Sequence, residues 1–222
     1  MEDWRVVTPS TVIAENEDDC VLALRLGAAT NAIRAAQRFY LASEGSPGPA
    51  GERDRFWSFL IAAAFVGTAL KMVDREASLH MRVWELARRG GASDETLALV
   101  DSVIDGRHSL SDTIMRMRDK FAFHWDPSPM KKWLQARGKA EIVWAEGRGD
   151  SNGEMIYRAS ADAIANQINP PEPDETDEES RARAQEAINK FTPIMAAVLE
   201  VFESALATFL GDAGATQEEV DP

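Results

Sequence analysis

A chain of 222 residues, 45% hydrophobic and 27% charged, has the length of one elaborated domain or a domain with an appendage, and its apolar content excludes global disorder. The single cysteine, Cys20, excludes an intramolecular disulfide, and with three histidines it excludes a zinc framework of four cysteines or of two cysteines and two histidines, so a reducing, cytoplasmic setting is expected. A net charge of -13, from 37 acidic and 24 basic side chains, argues against nonspecific coating of nucleic acid or of an anionic membrane.

Residues 1–18 are acidic, without a basic leader or a long apolar run, and are expected to be irregular. The first helix follows Glu17, Asp18 and Asp19, which suit the positive end of a helix. It repeats Val21, Leu24, Ala28, Ala32, Ala35 and Phe39 at spacings of three and four. The turn-rich GSPGPAG, residues 45–51, breaks it. A second helix is expected from about Glu52 to Arg89, closing at Gly90 and Gly91, and its length implies a kink or a long hairpin partner. Within it, residues 56–70 carry no charge. Fifteen helical residues rise only ~22 Å against a hydrocarbon layer of ~30 Å, and Lys71, Asp74 and Arg75 follow, so the reading is a buried core helix and no membrane span.

Ser93 is placed to cap a short third helix, with Asp94 and Glu95 in its first turn and Gly106 at its end. A fourth begins at SLSD, where Ser109 and Asp112 have nearly the spacing of a capping box, and ends near Trp125 because Pro127 disfavours helix in the residue before it. Residues 141–146 and 154–160 are rich in strand formers and flank GRGDSNG, which predicts a small β-hairpin with Arg148, Gly149 and Asp150 at its tip. Residues 169–180, acidic and proline-rich, read as a linker. A last helix over 181–211 carries the clearest periodicity in the chain: Ala184, Ile188, Phe191, Met195, Val198, Phe202, Ala205 and Phe209. Its seam meets the protein's own core or, alternatively, a partner helix, and Pro193 should bend it. Residues 212–222 form an acidic tail. The fold class is mainly α, with a β-hairpin insertion near 141–160.

Charge is unevenly spread. From Arg116 to Lys139 there are seven basic residues and two acidic ones, a net of +5 that leaves -18 for the remainder. On a helical wheel for residues 112–125, Ile114, Met117 and Phe121 define an inward arc that also contains Arg118, His124 and Trp125, whereas Asp112, Arg116, Asp119 and Lys120 lie opposite. An arginine on an apolar face needs an acid, a subunit interface or an anion to receive it.

The string RDKFAFHWD, residues 118–126, resembles the signature of the HEPN superfamily: an arginine followed directly by a polar residue, four to six intervening positions, and a histidine near a helix end. Arg118, Asp119 and His124 stand at those positions. Arg75 and His80 share the spacing, but Glu76 within a long helix gives that pair the pattern of a surface salt bridge. The resemblance covers residues 109–126, and the roughly hundred residues after the motif depart from a minimal bundle of that kind. It implies an up-and-down helical bundle over residues 19–168. It also implies a metal-independent endoribonuclease without a cofactor, whose site is shared across a homodimer axis.

In that reading Arg118 and His124 are catalytic and Asp119 orients one of them, while Lys120, Lys131, Lys132 and Arg116 bind RNA. RNA cleavage needs a base for the 2′-hydroxyl, a donor for the leaving oxygen and positive charge for the phosphorane-like transition state, all of which histidine and arginine supply at neutral pH. Six residues place Arg118 and His124 ~9 Å apart along a helix, neighbours rather than a contacting pair, so a second copy would complete the cleft. The family's common settings imply a toxin or phage-defence component with an antitoxin or other protein partner. The alternatives are a purely structural role for both residues, or a non-catalytic helical module binding a protein or nucleotide partner. Asp101, Asp105 and His108 have ligand-like spacing, but Gly106 ends the helix between them and no metal site is expected. No phosphate-cradling glycine loop or nucleophile elbow is present.

Overall fold

The computed structural model describes residues 3–6, 17–44, 48–74, 77–122, 146–147, 156–157, 176–212 and 216–219. Among these, apolar positions recurring every three or four residues build six α-helices, and the protein is mainly helical. They are α1 (Glu17–Glu44), α2 (Gly48–Asp74), α3 (Ala77–Arg89), α4 (Asp94–Ile104), α5 (Ser111–Arg116) and α6 (Asp177–Asp212). A π-helical turn, Met117–Ala122, continues α5.

Helix boundaries follow local chemistry, not always where it was expected. The predicted single helix over 52–89 is two, α2 and α3, and residues 75 and 76 lie outside those described. Helix α2 starts at Gly48 inside the predicted turn because Pro49, in the first turn, loses no intrahelical hydrogen bond. Ser93 caps α4 as predicted: its Oγ accepts from the Thr96 backbone N–H at 3.1 Å. Gly106, at φ 73°, follows the C-terminal end. The capping box at Ser109 does not form; α5 begins after Leu110 without a side-chain cap. Another box, unforeseen, starts α6. The Thr176 backbone N–H donates to Glu179 Oε2 at 2.8 Å, and the Glu179 N–H donates to Thr176 Oγ1 at 3.3 Å, so the helix begins within the stretch read as a linker.

The predicted hairpin is not borne out. In residues 141–160 the pairing among the described residues is two residues against two, Glu146–Gly147 with Ile156–Tyr157, too short to stabilise a hairpin; the rest of both segments lies outside those described. Asp3–Val6 pairs antiparallel with Thr216–Glu219, in register Asp3↔Glu219 and Val6↔Thr216. These termini were read as irregular and as a tail because neither has an apolar alternation; the ladder is a backbone interaction.

The chain divides into two units. The first comprises residues 1–33, 68–108 and 194–222. Its core is Leu22, Leu26 and Ile33 of α1, Leu70 and Val73 of α2, Val83 and Leu86 of α3, Leu97 and Val100 of α4, and Ile194, Val198 and Phe202 of α6, each at most 4% exposed. The end of α3 lies against α6 so closely that a Cβ on Gly90 would collide with the Ser204 carbonyl. Nearby, both Arg89 Nη atoms donate to the Asp212 carboxylate, at 2.7 and 3.0 Å.

The second unit comprises residues 34–67 and 109–193. Leu60, Ala63, Ala64 and Val66 of α2 are buried in it, as are Ile114, Met117 and Phe191, and Phe59 meets Phe191 edge-to-face with centroids 5.1 Å apart. Arg55 Nη1 donates to the Ser43 carbonyl at 3.1 Å and ties α2 to the end of α1.

By length and composition alone, Asp54–Asp74 and Gln185–Asp212 are each long and apolar enough to cross a membrane, and 56% and 44% of their most apolar windows are buried within the protein. The expected apolar stripe of α1 does not face the core. Val21, Leu24 and Phe39 are 46%, 70% and 70% exposed, and the covered side is Leu22, Leu26, Ile33 and Ala36. At about 100° per residue the two sets sit roughly 130° apart, so α1 has two apolar faces, one of them uncovered.

Candidate functional site

The Arg118 segment is positioned by close packing on α2. A Cβ on Gly67 of that helix would lie 3.1 Å from the Ile114 carbonyl oxygen and 3.2 Å from the Arg118 Cβ. The missing side chain is what lets α5 and the π turn approach so near. Ser111, Ile114 and Met117, spaced by three, form the buried face, and Arg118 is carried at its edge with its side chain 21% exposed. The 100° wheel does not hold through Met117–Ala122, because i→i+5 bonding puts more residues in each turn; such turns are frequent at functional sites.

Arg118 Nε donates to Asp119 Oδ1 at 2.6 Å, and its Nη2 contacts the same oxygen. Adjacent helical residues do not face each other, so the long arginine folds sideways over the short aspartate. No other partner of Arg118 occurs among the described residues. Of the expected catalytic residues, Arg118 and its sequence neighbour Asp119 therefore meet through their side chains, and Arg116 is exposed two residues earlier. The backbone of Lys120 belongs to the π turn. His124, Lys131 and Lys132 lie outside the described residues.

A second constellation was not anticipated. His80 of α3 and Asp101 of α4 meet at 3.0 Å, Nε2 to Oδ1, and the imidazole stacks on Trp84 with centroids 4.0 Å apart and planes at 27°. His80, Trp84 and Arg88 share one α3 face through their spacing of four. With Met81, Glu85, Arg89 and Asp101 they line an open groove of about 510 Å³. Arg88 lies 3.5 Å from Asp94, and hydrogen bonding to Asp212 raises the pKa of Arg89 further above its ordinary value. The buried Trp84 indole N–H has no hydrogen-bond partner among the described residues.

In a neutral His80 ring, a proton on Nε2 directed at Asp101 leaves Nδ1 as a proton acceptor, a group able to serve as a general base. Sequence spacing points elsewhere: His80 was matched with Arg75, which is outside the described residues, and Asp101 with Asp105 and His108. Asp105 instead binds Arg107 at 2.7 Å. No local pattern encodes a contact across 21 residues; the available signal was a histidine and an aromatic four apart on an amphipathic helix.

No family model, curated protein or solved structure matches the chain.

Proposed function

We propose that this protein is a metal-independent endoribonuclease of the HEPN type, acting as a toxin or phage-defence component from a site composed across a homodimer. The observation that carries the reading is Arg118: partly buried on a π turn and clamped by the neighbouring carboxylate of Asp119. The clamp holds the guanidinium plane, and its remaining N–H groups would receive the phosphate that becomes phosphorane-like during cleavage. His124 would exchange the proton, and the basic residues from Arg116 to Lys139 would draw RNA to an otherwise acidic chain.

The competing reading, a non-catalytic helical interaction module, is favoured by the uncovered apolar face of α1. Cleavage of RNA in chelator separates the two. Activity in the wild type that falls by roughly 100-fold or more in both Arg118→Ala and His124→Ala supports the enzyme. Activity retained in His124→Ala but lost in His80→Ala would move the chemistry to the groove, and no activity at all would leave the interaction module.

A further inference from the structure

The groove lined by α3 and Asp101 of α4 holds two polar groups that the fold leaves uncommitted. His80 gives Nε2 to Asp101 at 3.0 Å, whereas its Nδ1 has no hydrogen-bond partner among the described residues and the side chain is 30% exposed. Arg88 meets Asp94 through Nε at 3.5 Å, and its two Nη groups have no hydrogen-bond partner among the described residues. Arg89 differs, with both Nη atoms held by Asp212. The imidazole is also fixed in place: it stacks on Trp84, a ring only 4% exposed, and the bond to Asp101 sets its rotation. Eight residues set Arg88 about 12 Å beyond His80 along α3, and helical side chains lean towards the N-terminus, so the guanidinium leans back towards the ring with room for a few bonds of substrate between them.

A held base and an uncommitted cation in one groove of small-molecule size are the parts that acyl transfer to water needs. Charge narrows the substrate. In the lining Glu85 and Asp101 balance Arg88 and Arg89, which suits a neutral molecule rather than a phosphodiester chain, and Met81, 66% exposed, offers it apolar contact. The geometry points to a second chemical site here, one that hydrolyses small neutral carboxylic esters with His80 as general base, Asp101 as its positioning residue and Arg88 as partner of the oxyanion. Water entering between Nδ1 and the ester carbonyl gives its proton to Nδ1 as its oxygen bonds to the carbonyl carbon. The imidazolium so formed stays hydrogen-bonded to Asp101, while Arg88 donates to the tetrahedral oxyanion. When the carbonyl re-forms, the bond to the alkoxy oxygen breaks and that oxygen takes the proton from Nδ1. Ester and water thus give acid and alcohol, the ring returns to its starting state, and Glu85 and Asp101 repel the ionised acid.

This activity lies on α3 and α4 and does not depend on Arg118 or His124. It is tested by steady-state turnover of 4-nitrophenyl acetate by the full chain, against free imidazole at the same concentration, because any exposed histidine reacts slowly with such an ester. The wild type should saturate, exceed imidazole and run more slowly in deuterium oxide, as proton transfer requires. His80→Gln should lower kcat/KM by about 100-fold or more, and Asp101→Asn by about tenfold, in kcat rather than KM. Arg88→Gln should likewise lower kcat with little change in KM, because its contact strengthens only in the transition state. His108→Gln, outside the groove lining, should keep the wild-type rate. Turnover no faster than imidazole, or His80→Gln as active as the wild type, overturns the site; equal rates in the two solvents overturn the general base, and an unchanged kcat in Asp101→Asn overturns its positioning role. Should His80→Gln fail to fold, Arg88→Gln, at an exposed position, carries the comparison, and an unchanged kcat there overturns the site equally. None of these outcomes bears on whether Arg118 and His124 cleave RNA.

Discussion

Arg118 reaches its place because residue 67 has no side chain: the Arg118 Cβ stands 3.2 Å from where a Gly67 Cβ would be, closer than packed carbons ordinarily sit. The relationship yields a graded expectation. Gly67→Ala gains about 0.5–1 kcal/mol of helix propensity while pressing on the Ile114 carbonyl, so its net effect on stability should stay under about 1 kcal/mol. Gly67→Val, with two more methyls against the same backbone, should cost about 1–3 kcal/mol and lower RNA cleavage by displacing Arg118. Urea unfolding of the two variants checks the order; equal stabilities would mean that α5 and the π turn move away freely.

Phe202 is fully buried in the core of the first unit. Phe202→Ala should cost about 3–5 kcal/mol, the sum of lost transfer energy and the cavity left behind. A melting temperature equal to that of the wild type would take this part of α6 out of the core.

Thr176 begins α6 through its reciprocal bonds with Glu179. Thr176→Ala should remove about 1 kcal/mol of stability, and Thr176→Asp should retain most of it, because an aspartate also caps. Amide exchange of residues 177–180 gives the local readout: faster exchange in the alanine variant alone is expected.

Asp119→Asn keeps size and removes the charge that holds Arg118. Exposed ion pairs contribute about 0–1 kcal/mol, so the melting temperature should hardly move. Cleavage should fall nonetheless, by about tenfold or more, because a guanidinium free to swing no longer meets the phosphate in one geometry. Unchanged kcat/KM would exclude Asp119 as a positioning residue.

Much of the helical fold was legible in residue order. The α6 seam at Phe191, Met195, Val198, Phe202 and Ala205 is buried as its periodicity demands, and Ser93 and Gly106 mark the ends of α4, because capping and amphipathic spacing are interactions within a few residues. Arg118 and Asp119 were singled out by the motif they resemble, although the wheel set them on opposite arcs, and their side chains meet in the structure. Beyond that range the residue pattern is degenerate. Helix α1 has two apolar faces of similar spacing, and which one is covered depends on neighbours contributed by distant segments. The meeting of His80 with Asp101 depends on how α3 and α4 pack, and the approach of Arg118 to Gly67 on a contact between helices some fifty residues apart. Periodicity specifies what a helix offers for burial; packing between helices selects the face that is buried, because the gain from covering apolar surface is nearly the same for either side and the geometry of the partners breaks the tie.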